Sequence, residues 1–196
     1  VVGNSFAGEK LSGLENLRSA GGLVLGTATT PLTTAQDFDV VLPALESLGQ
    51  LSVNGNTVAK LDLPKLVSTG TVYINAAKLS VFNVPALKEC TGDLTILSGT
   101  NASTRNKALA ALGLSSLEKV TGSLSLQYLS ELQLLELPKI ASIGGNCTLT
   151  YLTQLKVLNM PELVHLGGAF TWNYLTAPTT FAMPKVPSLA SFSLSD

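Results

Sequence analysis

The residues able to do chemistry are few in this 196-residue chain, which holds 2 cysteines and 1 histidine. Cys90 and Cys147 could form a disulfide, hold a soft metal or supply a thiolate. His165 could act as a ligand or a general base. It falls between Pro161 and Gly167 with no carboxylate or serine recurring beside it, so the sequence builds neither a triad nor a metal site around it. It reads as a surface histidine. Asn101-Ala102-Ser103 and Asn146-Cys147-Thr148 match the acceptor pattern for N-linked glycans, which has meaning only in a eukaryotic secretory pathway. No catalytic residue, cofactor or metal ligand is assigned, and the chain is read as not being an enzyme.

What positions these residues is a repeat. Pro43, Pro64 and Pro85 are 21 residues apart, and Pro138, Pro161 and Pro184 are 23 apart. Ser115 takes the marker position between the two series. Two residues after each marker sits an aliphatic residue (Leu45, Leu66, Leu87, Leu117, Ile140, Leu163, Val186), and a glycine then precedes a short alternating stretch. Self-similarity on this scale specifies a solenoid, whose repeats bury their apolar faces only by stacking. In Ser123-Leu124-Ser125-Leu126-Gln127 a period of two turns Leu inward and Ser or Gln outward, which predicts a first strand. Apolar pairs such as Leu61/Leu63 and Leu135/Leu137 predict a second, and the proline after them breaks the ladder and starts the next coil.

The expected fold is therefore mainly β: a right-handed β-helix solenoid of about eight coils of 21–30 residues with parallel sheets. Residues 1–196 form one domain, with a cap over 1–13, coils from 14, and an incomplete coil over 184–196. Coil one carries a Thr-rich exposed loop, Gly26 to Thr34, and coil four an insertion in which Ser103 to Gly113 predicts a short helix. Charged residues are only 13% and net charge is −1, which excludes disorder and a basic nucleic-acid surface. No apolar run is long enough to span a membrane, and no signal sequence opens the chain, so in an exported protein that segment has been removed. Ser191 to Ser195 reads as a strand in mid-coil with no polar cap, so either the native chain continues beyond Asp196 or another domain or subunit covers this end.

The register settles the cysteines. Cys90 aligns with Leu48, Val120 and Ile143, and Cys147 with Leu94, Leu124 and Phe170, all interior positions. They lie two coils apart, about 9–10 Å, beyond the reach of a disulfide. Trp172 aligns with Leu126 and Leu149 and reads as core, while Tyr128, Tyr151 and Tyr174 should stack as a ladder at the first corner. The outward positions of the first strands are hydroxyls and amides with Asp93 the lone acid, so no acid–base pair is in sight. The short coils two and three lie between the insertions at 26–38 and 97–112, which would stand as walls about 10–15 Å apart. Their floor presents Gln50, Ser52, Asn54, Thr71, Tyr73 and Asn75, with Lys60 and Lys78 farther round. Amide, hydroxyl and an outward ring suit a neutral glycan.

The pattern Leu-Pro-x-Leu (Leu42-Pro43-Ala44-Leu45, Leu63-Pro64-Lys65-Leu66), then Gly, then Leu-x-Leu and a second Leu pair, resembles the leucine-rich β-helix repeats of receptor L-domains. Those occur in growth-factor receptor ectodomains and fungal cell-wall glycoproteins. The pattern is also similar to that of leucine-rich surface proteins of gut bacteria. The resemblance covers residues 14 to 196 through its core spacing, and it departs from the animal receptors in having two cysteines and no cysteine-rich flank. It implies an extracellular or cell-surface location and binding rather than catalysis. The expected function is thus adhesion or recognition of a glycan or a host or cell-surface partner, with no nucleic acid and no membrane insertion. Protein–protein docking and a structural wall or stalk spacer stay open beside it.

Overall fold

The computed structural model describes residues 11, 13–34, 36–98, 108–174 and 180–195. The chain is a β-solenoid of about six turns built from parallel sheets. The spacing count of eight included the opening coil, interrupted by its insertion, and the closing coil, of which only Phe192–Ser195 forms a strand. The expected cap over 1–13 falls almost wholly outside the described residues. No helix occurs among those described.

One large parallel sheet collects the first strand of every coil. Its middle is formed by Ser47–Asn54, Ser68–Asn75, Leu94–Leu97, Leu124–Gln127, Cys147–Thr150 and Phe170–Asn173, each hydrogen-bonded to the next. The second strands form two shorter parallel sheets. One holds Phe38–Val41, Val58–Asp62 and Val81–Asn83, the other Leu134–Glu136, Val157–Asn159 and Thr180–Ala182. Where a helix was expected, residues 108–113 are extended: Ala111 bridges Leu134 and Gly113 bridges Asn83, so the coil-four chain stitches these two sheets together. The reason is apolar anchoring. Leu109 is fully buried and Gly113 donates its N–H to the Phe82 carbonyl at 2.9 Å, so the ladder outcompetes a helix that would expose its own Leu. The part of the predicted helix over 103–107 lies outside the described residues.

Between the sheets runs a single core of stacked Leu, Ile, Val and Phe. Leu66, Leu117, Ile140 and Leu163 follow their marker positions inward and are fully buried. Each begins a coil with the same tight turn, its N–H donating to the carbonyl three residues back, as from Leu66 to Leu63 at 3.1 Å and from Leu117 to Leu114 at 3.1 Å.

Aligning these inner rows shows where the 21- and 23-residue coils differ. In coil three the pairing strand runs unbroken from Ser68 to Asn75, with Thr69 and Val72 inward and three apart. In coil five the matching residues, Val120 and Leu124, are four apart, and the strand splits into Lys119–Val120 and Leu124–Gln127. One extra residue is therefore absorbed at the glycine corner as a break in the ladder. The second is Tyr128, inserted between Gln127 and Leu129, where coil three passes directly from Asn75 to Ala76. Tyr151 and Tyr174 do the same in the next two coils, and all three adopt left-handed φ of 59°, 55° and 53°. Each still donates its N–H to the next coil, Tyr128 to the Thr150 carbonyl at 3.0 Å and Tyr151 to the Asn173 carbonyl at 3.1 Å, so the added length leaves the ladder connected.

Candidate functional site

The floor expected from the sequence forms from two neighbouring strands, Ser47–Asn54 and Ser68–Asn75, in parallel register. Gln50 pairs with Thr71, Ser52 with Tyr73 and Asn54 with Asn75. Gln50 and Thr71 are exposed, and Ser52, Tyr73 and Asn75 are half-buried. Asn54 departs from its expected outward position, being only 7% exposed. The cause is the coil-one insertion. Its Leu32 is fully buried and donates its N–H to the Asn54 carbonyl at 2.7 Å, so the loop lies down over this end of coil two. Five of the six residues thus share the open face, and Asn54 belongs to its margin.

The insertion differs accordingly from a free-standing wall. Its tip, Thr27 to Thr30, is exposed and closes on itself: Thr27 N–H donates to the Thr30 carbonyl at 2.9 Å and Thr30 N–H to Thr27 Oγ1 at 3.0 Å. Gly26 permits the descent. Its φ is +66°, and a Cβ there would stand 2.2 Å from the Asn54 oxygen and 2.3 Å from the Leu32 nitrogen. Farther on, Asp37 meets Lys78 of coil three at 2.6 Å. The loop therefore runs along the edge of coils two and three and borders the floor on one side. Most of the coil-four insertion, 99–107, lies outside the described residues. Lys60 turns to the second-strand sheet, where it meets Asp62 at 3.1 Å.

Beyond the floor the outward row that holds Ser52 and Tyr73 continues through Thr95, Ser125, Thr148 and Thr171 to Ser193, one residue per coil. Beside it runs a relay of side-chain acceptors. Asp93 Oδ1 accepts the Ser123 N–H at 2.8 Å, Ser123 Oγ accepts the Asn146 N–H at 3.1 Å, and Asn146 Oδ1 accepts the Ala169 N–H at 2.8 Å. These bonds fill the gap where the extra corner residue interrupts the ladder, so the Asp93 carboxylate is engaged by main chain. The same bond occupies the side-chain oxygen of Asn146 in the second sequon.

Cys90 and Cys147 are free and fully buried in the rows the register assigned them. Cys90 Sγ lies 2.8 Å from the Gly70 carbonyl oxygen. Burial raises both thiols above their ordinary range, Cys147 to about 12, which suits small apolar packing and leaves little thiolate near neutrality. Trp172 is 7% exposed, packed 6.2 Å from Phe170, and so belongs to the core. His165 is exposed on the strand His165–Leu166, beside Ser142. Among the described residues no group of three or more His, Cys, Asp or Glu is placed to hold a metal ion.

One feature was missed. At the corner before the first strands, Val67, Ser68, Lys88, Glu89, Glu118 and Lys119 line a shallow groove of about 360 Å³. Val67 is 43% exposed on its floor, and Lys119 meets Glu89 at 3.0 Å. Its signal was the inverted dipeptides Lys88-Glu89 and Glu118-Lys119 at equivalent positions of adjacent coils. No protein-family model, curated protein or solved structure matches this chain, so the reading of its role rests on this geometry.

Proposed function

We propose that the chain is a non-catalytic binding or adhesion module, extracellular or at a cell surface, that recognises a neutral glycan on the face carrying Gln50, Ser52, Thr71, Tyr73 and Asn75. One observation carries the reading: uncharged hydroxyl and amide side chains, with one partly open ring, stand side by side on two unbroken strands bordered by a Thr-rich loop. Rigid strands keep such groups at fixed spacing, which suits a ligand whose own hydroxyls repeat. The described floor residues are amides, hydroxyls and a phenol, which bind a glycan by hydrogen bonding and ring contact, whereas glycoside hydrolysis most often uses a pair of carboxyl groups. The test is an array of surface polysaccharides and glycans probed with the wild-type chain and Tyr73→Ala. A hit lost in the variant supports the reading. Silence from the wild type across a validated array, or a hit indifferent to Tyr73, sinks it.

A second reading, docking of a protein, is favoured by the Val67 groove, where an exposed aliphatic floor is rimmed by Lys88, Glu89, Glu118 and Lys119. Val67→Asp would abolish capture of such a partner and leave glycan binding intact. A pure spacer would show neither activity.

A further inference from the structure

The corner that leads into the first strands carries one outward residue per coil, joined along the stack by main-chain bonds. Val67 N–H donates to the Glu46 carbonyl, Lys88 to Val67, Glu118 to Lys88 and Ala141 to Glu118, each at 2.8 Å. Beside this row runs a second, Ser68, Glu89, Lys119 and Ser142, paired in register. Val67, Lys88, Glu118, Lys119 and Ala141 are exposed, and Ser68, Glu89 and Ser142 are half-buried. The middle of the two rows is a square of charges, Lys88 and Glu118 in one and Glu89 and Lys119 in the other, with opposite signs along every side. Glu89 and Lys119 close one side at 3.0 Å, while among the described residues the side chains of Lys88 and Glu118 form no ion pair.

We propose that this surface binds the same surface of a second copy, the two solenoids lying antiparallel about a two-fold axis that passes between coils four and five. A second copy is thereby the partner in the docking reading of the Val67 groove, on which the pairing rests. Charge selects it first. In a two-fold contact residue i meets residue j while j meets i. An axis between Lys88 and Glu118 sets each opposite the other's copy, and Glu89 opposite Lys119, so all four charges of both chains face their opposites. Moved half a coil either way, the axis would set Lys88 against Lys88 or Glu118 against Glu118, and like charges juxtaposed across an interface are strongly unfavourable.

The flanks agree with the charges. The same axis sets the exposed Val67 opposite Ala141, apolar on apolar, and Ser68 opposite Ser142, hydroxyl on hydroxyl. A parallel arrangement, with the axis running along the stack, would also match the four charges. It would lay Val67 on Ser68 and Ala141 on Ser142, so only the antiparallel pairing matches charge and polarity together. The groove of about 360 Å³ around Val67, Lys88 and Glu118 admits the long side chains of the facing copy.

Sedimentation equilibrium on the 196-residue chain tests the proposal. The wild type should form a closed, concentration-dependent dimer that weakens in high salt as its ion pairs are screened. Lys88→Glu leaves acids at both positions of the outer row and Glu118→Lys leaves cations at both. Each should weaken dimerisation by about tenfold or more, with the fold intact by circular dichroism. An equimolar mixture of the two variants should dimerise again, because each then faces its opposite, an outcome that charge pairing within one chain would not produce. Val67→Cys combined with Ala141→Cys should form intermolecular disulfides under mild oxidation. Either cysteine alone sits three coils, about 14 Å, from its counterpart and should not, and the buried native thiols do not compete. A monomer at the highest soluble concentration overturns the proposal. So does a dimer indifferent to both charge reversals, a mixture that stays monomeric, or a doubly substituted chain that fails to cross-link. Val67→Asp decides the docking reading separately, since a monomer that still captures a different protein through Val67 keeps that reading while losing this one.

Discussion

The rings of Tyr151 and Tyr174 lie 4.3 Å apart and 4° from parallel, and both residues hold a left-handed backbone. Tyr128 continues the stack at 4.8 Å and 14°. A non-glycine residue in that conformation costs about 1–2 kcal/mol, and face-to-face neighbours on both sides offset it for Tyr151. Tyr151→Ala keeps the strained backbone and loses both stacks, whereas Tyr151→Gly loses the stacks and relieves the strain. Urea unfolding should find both variants destabilised and the glycine variant more stable than the alanine one by about 1 kcal/mol. An alanine variant as stable as the glycine one would show that the ladder does not carry the strain.

Coil contact is closest along the glycine row. A Cβ at Gly70 would stand 1.9 Å from the Gly49 carbonyl oxygen, while one at Gly21, in coil one of the same row, meets nothing within 4 Å among the described residues. Gly70→Ala must push two coils apart and should cost at least about 1–3 kcal/mol. Gly21→Ala should be nearly neutral. Thermal melts of the two variants make the comparison directly, and equal melting temperatures would refute the close packing of this row.

Thr69 occupies an inner position between Leu48 and Cys90, and its buried Oγ1 has no hydrogen-bond partner among the described residues. An unsatisfied hydroxyl in a core costs about 1–3 kcal/mol, so an isosteric apolar side chain should be tolerated or preferred. Thr69→Val is expected to raise stability in urea, and Thr69→Ser, which keeps the hydroxyl and loses a methyl, to lower it. A destabilised valine variant would mean that the hydroxyl is satisfied in solution.

Cys147 gives a pH signature. Burial pushes its thiol from 9.0 to about 12, so the folded state holds the proton more tightly than the unfolded chain does. The stabilisation is complete below pH 9.0 and is lost progressively as pH rises from there towards 12. Cys90 shifts in the same direction, through burial first. Unfolding monitored from pH 8 upward should show stability falling over that window, with a shallower fall in Cys147→Ala after allowance for its lost packing. Iodoacetamide should label neither thiol in the native chain at pH 8, and both after unfolding.

The solenoid was legible because its signal is redundant: every coil restates the same inward Leu positions, and Leu45, Leu66, Leu117 and Ile140 are all fully buried. The rows of Cys90, Cys147 and Trp172 followed from that register for the same reason. The candidate face was only partly legible. Gln50, Ser52, Thr71, Tyr73 and Asn75 sit where a period of two places them, but the burial of Asn54 depends on Leu32, a residue of an insertion without periodicity. Coil four misled in a related way, since Ala108-Leu109-Ala110-Ala111-Leu112 has good helix propensity and pairing with Leu134 and Asn83 overrides it. The Tyr spacing of 23 showed a ladder, but a one-residue insertion is invisible until inner rows are aligned in space.

The difference between the two coil lengths bears on how such a chain can vary. Between the 21- and 23-residue coils the two added residues fall at two corners, one beside glycine and one at a left-handed tyrosine, and neither displaces an inward side chain. The outline of a coil can therefore drift while its interior alphabet stays in phase. Duplication of a whole period, with Asp93, Ser123 or Asn146 reaching forward to the main chain of the following coil, supplies each newcomer with its own attachment point. Lengthening by copying is thereby built into the repeat as a directional joint, and a chain that gained or lost a complete coil would still know where its next one begins.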